Sequence, residues 1–126
     1  MSFSGTYEQQ SQENFVPFMT AIGLPEDLVE RGKDLKSVTE IVQTGNHFVI
    51  TITTGPRVLR NEFTIGVETE MKTLAAEKVM STANLVDGKL VVQLKGVTSV
   101  AEVSGDLLIT VMTLKDLVYK NISKRV

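Results

Sequence analysis

Near the end of the chain, Tyr119, Asn121 and Ser123 recur at every second position. On a strand that spacing puts a phenol, an amide and a hydroxyl on one face. Lys120 and Lys124 fall on the other face and claim the solvent, so the polar trio turns inward. Such a trio donates and accepts hydrogen bonds without formal charge. The same alternation turns inward Thr39 and Ile41 (opposite Glu40), Ile50 and Ile52, Phe63, Met71 and Thr73, and, from a run apolar on both faces, Leu108, Thr110 and Met112. An inner surface mixing large apolar groups with Thr39, Thr73, Thr110, Asn121 and Ser123 is costly for a solid core, because each unsatisfied buried polar group costs about 1–3 kcal/mol. It suits an interior holding water or the polar end of a ligand. The alternative is that some of these residues face solvent instead.

No reaction chemistry accompanies this set. His47 is the only histidine, follows the Gly45-Asn46 turn, and lacks the spacing of a metal site or general base. Cysteine is absent, which removes disulfides and thiolate ligands. No nucleophile elbow or phosphate-cradling glycine loop occurs. The residues predict no enzyme, no cofactor and no metal.

The elements that must position the inner set follow from punctuation. Residues 5–12 read as a first strand. Asn14 is placed to cap a helix with Phe15, Phe18, Met19 and Ile22 on one face, closed by Gly23. Pro25, Glu26 and Asp27 open a second short helix that ends in Arg31 and Lys33. Strands are then predicted at 35–44, 47–53, 57–64, 67–73, 77–85, 89–94, 98–104, 106–114 and 117–124, rich in Val, Ile, Thr and Leu and divided by Gly, Asn and Asp turns. With the first strand the count is ten. An open sheet of ten would expose two edges, so the pattern predicts an all-β, antiparallel up-and-down barrel, hollow enough for a ligand. The helix pair, about residues 14–34, becomes its lid, and residues 1–126 one domain.

Chain totals agree with a soluble module of 126 residues. A net charge of −2 with no basic stripe argues against nucleic acid. No apolar run could span a bilayer, Met1–Gly5 lacks the pattern of a secretory leader, and Ser2 stands where myristoylation needs glycine, so a cytoplasmic location is expected. Leu107, Ile109 and Val111, with Val49, Val67 and Met80, read as scattered outer apolar residues. A monomer is expected, with transient membrane contact left open.

Several stretches carry a resemblance: SQENF at 11–15, AIGLPEDL at 21–28, GKD at 32–34, EIVQ at 40–43, NEFT at 61–64, GKL at 88–90, MTL at 112–114 and ISKRV at 122–126. In this order, along the whole chain, they resemble the intracellular lipid-binding proteins of the calycin superfamily, most of all the liver-type branch. The resemblance implies a ten-stranded barrel under a helix-turn-helix lid. It also implies reversible binding of long-chain fatty acids or other hydrophobic molecules, with Phe18 touching ligand and Arg57 beside the lid; Leu74 is read as a further ligand-binding residue and Arg31, on the second helix, as a second portal candidate. Departures bear on the headgroup. The branch carries Arg-x-Ser on its last strand where this chain has Asn121-Ile122-Ser123; Ala101 and Thr110 stand where its eighth and ninth strands are polar; Thr39 replaces a serine; Leu74–Ala76 lacks the usual glycine; and the loop before Lys89 is one residue shorter. Without the guanidinium, either a neutral polar end such as an alcohol, ester or retinoid is preferred, or a fatty acid binds with its carboxylate at the lid. The rival expectation is an interaction barrel with a collapsed interior.

Overall fold

The computed structural model describes residues 3–126; Met1 and Ser2, part of the leader argument, lie outside the described residues. Strand β1 (Gly5–Glu13) leads into helices α1 (Phe15–Ala21) and α2 (Glu26–Gly32). Strands β2 (Val38–Thr44), β3 (His47–Thr54) and β4 (Arg57–Thr64) follow as a meander. Next come β5 (Thr69–Lys72), β6 (Lys78–Ser81), β7 (Ala83–Val86), β8 (Lys89–Leu94), β9 (Val97–Ser104), β10 (Leu107–Leu114) and β11 (Leu117–Arg125). Nine strands form one antiparallel sheet in the order β4-β3-β2-β1-β11-β10-β9-β8-β7, and β5 and β6 form a separate hairpin. The predicted barrel is therefore nearly closed. First and last strands pair, which joins the N-terminal and C-terminal meanders into one sheet and leaves β4 and β7 at its ends, with the β5–β6 hairpin between them.

Two details depart from the expected ten equal strands. The run at 77–85 breaks at Thr82: β6 pairs with β5, and β7 pairs with β8. The run predicted from residue 35 begins as a strand only at Val38, because the stretch before it connects the second helix to the sheet.

No backbone ladder joins β4 to β5. A side chain does so instead. The Asn61 carboxamide accepts from the Lys72 N–H at 2.8 Å and donates to the Lys72 carbonyl at 3.0 Å, copying the double bond of an antiparallel pair. On the other side of the hairpin, the Ser81 hydroxyl donates to the Gln93 carbonyl and so ties β6 to β8.

The interior divides into two parts. Phe3, Tyr7, Ile41, Phe48, Phe63, Met71, Leu90 and Leu108 form a solid apolar cluster. Phe48 stacks on Phe63 with centroids 5.5 Å apart. Under the helices a second cluster gathers Phe18, Met19, Leu24, Val29, Met112 and Tyr119. Phe18 stacks on Tyr119 at 5.6 Å and anchors the lid to β11. Gly32 brings α2 against α1: a Cβ there would lie 3.0 Å from the Phe15 ring.

Asn14 does not cap α1 as predicted. Its backbone is left-handed at φ 62 and its amide donates to the Val118 carbonyl at 2.8 Å. That bond fastens the lid's entry to the start of β11, so the side chain is unavailable to the helix N-terminus. The outer apolar residues are also less scattered than expected. Val91, Val100 and Val111 pair across β8, β9 and β10, and Ile109 pairs with Ile122, so on this side they are lateral neighbours.

Removing the β4–β5 bridge should loosen the seam. Asn61→Ala is expected to cost about 1 kcal/mol in urea unfolding, the net worth of a hydrogen-bond pair at a half-exposed site. Amide exchange at Lys72 should accelerate more than at Met112; equal change at both would show that Asn61 does not hold the seam.

Candidate functional site

The site begins with an irregularity in β1. Gln9 pairs with Ser123 and Gln12 with Asn121, while Gln10 is passed over in the register. Strict alternation would separate Gln9 from Gln12. The bulge turns both toward the inward face of β11.

These two glutamines complete a charge-free network around the predicted trio. The Tyr119 hydroxyl donates to Gln12 Oε1 at 2.8 Å. The Asn121 amide donates to the Tyr119 oxygen at 2.9 Å and to Gln9 Oε1 at 3.0 Å. The Ser123 hydroxyl donates to Asn121 Oδ1 at 3.0 Å. Gln9 Oε1 also accepts from the Ser37 N–H at 3.4 Å, and the Ser37 and Thr54 hydroxyls share a bond of 2.7 Å. Burial pushes the Tyr119 phenol above its ordinary value, and the bond from Asn121 offsets part of that rise.

The network borders a cavity of about 340 Å³ beneath the helices. That volume lies in the range of pockets that enclose a small molecule. Of the residues singled out from sequence, Thr39, Ile52, Thr110, Met112, Tyr119, Asn121 and Ser123 line it, as do Leu74, Arg31 and Arg57 at its mouth. Phe18 and Thr73 border a neighbouring hollow of about 330 Å³, which shares Leu74 and Met112 with the first.

Ile41, Ile50, Phe63 and Met71 lie elsewhere in the interior. They face inward, yet they pack into or against the solid apolar cluster and do not line the cavity. Alternation reports which side of a strand a residue occupies and says nothing of its depth along the barrel.

The mouth is framed by α2, the β3–β4 turn and the β5–β6 turn. Arg57 spans part of it: its Nη2 donates to the Leu74 carbonyl at 3.0 Å. The β5–β6 turn lacks the family's glycine, and Ala76 takes the left-handed conformation there at φ 61.

Sequence reasoning missed Gln9 and Gln12, because the bulge has no signature in the run GTYEQQSQ. Outside the cavity lining, Arg125 shares the parity of Tyr119, Asn121 and Ser123. Its Nη2 donates to the Tyr7 hydroxyl at 2.7 Å and its guanidinium lies over the Tyr7 ring, 5.2 Å from the centroid. Phe15, Met19, Leu24 and Leu28 of the lid also line the cavity; their helical spacing suggested only core.

His47 has a carboxylate partner after all, Glu62 Oε2 at 2.7 Å across the β3–β4 hairpin. That bond, with one from Arg60, lowers the Glu62 pKa. Both side chains are about half exposed, and no group of three metal-ligating side chains occurs among the described residues.

A nearly closed antiparallel barrel with a helical lid over an apolar cavity defines a lipid-binding β-barrel, and the chain belongs to that class: residues 1–126 match the lipocalin / cytosolic fatty-acid binding protein family. It is 55% identical to the liver fatty acid-binding protein of Sus scrofa, over all of both chains. It is 58% identical to the liver fatty acid-binding protein 1 of Ambystoma mexicanum, over 99% of this chain and all of that one. Among solved structures it resembles the zebrafish ileal bile acid-binding protein complexed with cholic acid, at 34% identity and a TM-score of 0.83, covering 98% of each chain.

The raised Tyr119 pKa makes an alkaline prediction. The neutral phenol's contribution to stability is complete below its ordinary value of 10.0 and is lost as pH rises through the raised folded value. Thermal melts of the natural protein should therefore fall above pH 10 more steeply than those of Tyr119→Phe. Parallel curves would mean that the phenol ionises freely in the folded state.

Proposed function

We propose that the protein is a non-enzymatic carrier that binds long-chain fatty acids or similar amphiphiles non-covalently within the barrel, as a single domain acting in the cytoplasm. One observation carries this proposal: the half of the barrel under the lid encloses a cavity of about 340 Å³ whose lining is mainly apolar, with a localised hydrogen-bonding network. A collapsed interior, the alternative raised by the sequence, would leave no such space. The family match and the liver fatty acid-binding relatives support the same reading. Ligand binding would fall to Thr39, Ile52, Thr110, Met112, Tyr119, Asn121 and Ser123, with Phe18 and Leu74 under and beside the lid and Arg31 and Arg57 at the portal. Apolar burial at roughly 25 cal/mol per Å² drives entry, and the polar groups set orientation.

The headgroup cannot be held by charge at depth. Asn121 stands where a guanidinium would meet a carboxylate, and its amide is already bonded to Gln9 and Tyr119. A carboxylate desolvated there without a cation would cost several kcal/mol. A second reading follows from that observation: the preferred ligand has a neutral polar head, such as an alcohol or ester, directed inward.

Organic extraction of the purified protein, followed by mass spectrometry, should yield a hydrophobic molecule near one per chain. Titration of the delipidated protein with oleate should show saturable binding, and Asn121→Arg should tighten it roughly tenfold by adding a charge-assisted bond. An empty extract together with no saturable oleate binding would dismiss the carrier; tight oleate binding with no gain from Asn121→Arg would dismiss the headgroup argument alone.

A further inference from the structure

The chain carries 15 acidic and 13 basic residues, yet no carboxylate lines the main cavity. Its charged lining residues are Arg31, Arg57 and Lys72, all basic. None of the three forms an ion pair among the described residues, whereas Lys33, Arg60, Lys89 and Lys95 each have a carboxylate partner. All three sit at the mouth: Arg31 in the last turn of α2, Arg57 as the first residue of β4, and Lys72 as the last of β5. Arg57 is half-buried and fixed by its bond to the Leu74 carbonyl, which leaves its remaining N–H groups for another acceptor.

The opposite pole is neutral and polar. Asn121 lies four residues beyond Leu117 at the start of β11, about 13 Å along the strand. Thr110 is its lateral neighbour. The Thr39 and Thr110 hydroxyls line the cavity without a hydrogen-bond partner among the described residues, and the Ser123 oxygen keeps lone pairs free after donating to Asn121. A purely alkyl end lodged there would strip water from these groups and return nothing. A second carboxylate would meet no cation.

We propose that the cavity is built for an amphiphile polar at both ends: a long-chain carboxylate whose acid group stays at the cationic mouth and whose chain delivers a neutral hydroxyl to the Thr39–Thr110–Ser123 surface. This deepens the carrier reading and rests on it. Both headgroup alternatives are then met by one ligand class, with charge outward and a neutral oxygen inward.

The test compares hexadecanoate, its 12-hydroxy and 16-hydroxy derivatives, and hexadecanedioate by calorimetric titration of the delipidated protein. At least one hydroxy acid should bind roughly three- to tenfold tighter than hexadecanoate, the increment of one net hydrogen bond, and the diacid no tighter than hexadecanoate. That preference should collapse toward one in Thr110→Val, a near-isosteric change, and in Asn121→Leu. Arg57→Gln should weaken all the monoacids by a common factor and keep their ratio. Equal affinity of the hydroxy acids and hexadecanoate, or a preference that survives both Thr110→Val and Asn121→Leu, would overturn the proposal while leaving a carrier. Failure of hexadecanoate and every other acid to bind would instead remove the carrier reading beneath it.

Discussion

Everything in the site depends on the pairing of the first strand with the last. That seam joins the two halves of the larger sheet, and its bulge at Gln10 determines which side chains face the hollow. A regular ladder would send Gln12 to solvent and leave Tyr119 with one fewer partner. With the bulge, two neutral amides meet a phenol, an amide and a hydroxyl, and their donors and acceptors are matched against one another. A buried polar group is tolerable only when bonded, so the network and the closure of the barrel are one constraint seen from two sides.

Closure also explains why the molecule is half solid and half hollow. Aromatic and aliphatic groups from β1 to β5, β7, β8 and β10 meet in the Phe3–Phe48–Phe63 cluster and fill one part of the interior. The lid side can then leave space, because Phe18 and Met19 cover it from above rather than fill it. The β5–β6 hairpin has no ladder to the larger sheet and is tied to it by the side chains of Asn61, Arg57 and Ser81. It borders the mouth, where a ligand must pass.

Charge is distributed by the same logic. In a protein with a slight acidic excess, cations collect at the rim of the cavity, where water still screens them, and uncharged donors and acceptors occupy its depth. Moving a guanidinium inward, as the liver-type Arg-x-Ser pattern does, would require a permanent counter-charge from the ligand. Asn121 places an uncharged amide there instead.

Much was legible in the residue order. Turn residues at near-regular intervals set the strand count to within the break at Thr82, and Lys120 and Lys124 were enough to turn Tyr119, Asn121 and Ser123 inward. Helical spacing found the lid. These are local properties: backbone sterics and side-chain alternation act over two to four residues, and a sequence records them directly. Other features needed the folded chain. Ile41, Ile50, Phe63 and Met71 have the same parity as Thr39 and Ile52, and only strand tilt and stagger decide that the first four meet a solid core while the last two meet a void. The bulge that recruits Gln9 and Gln12, the bond that diverts Asn14 to Val118, and the partnership of Arg125 with Tyr7 all join residues roughly 100 or more positions apart in sequence. Residues so far apart meet only through the ring of strands, so the sequence alone determined the faces and the tertiary structure decided the depths.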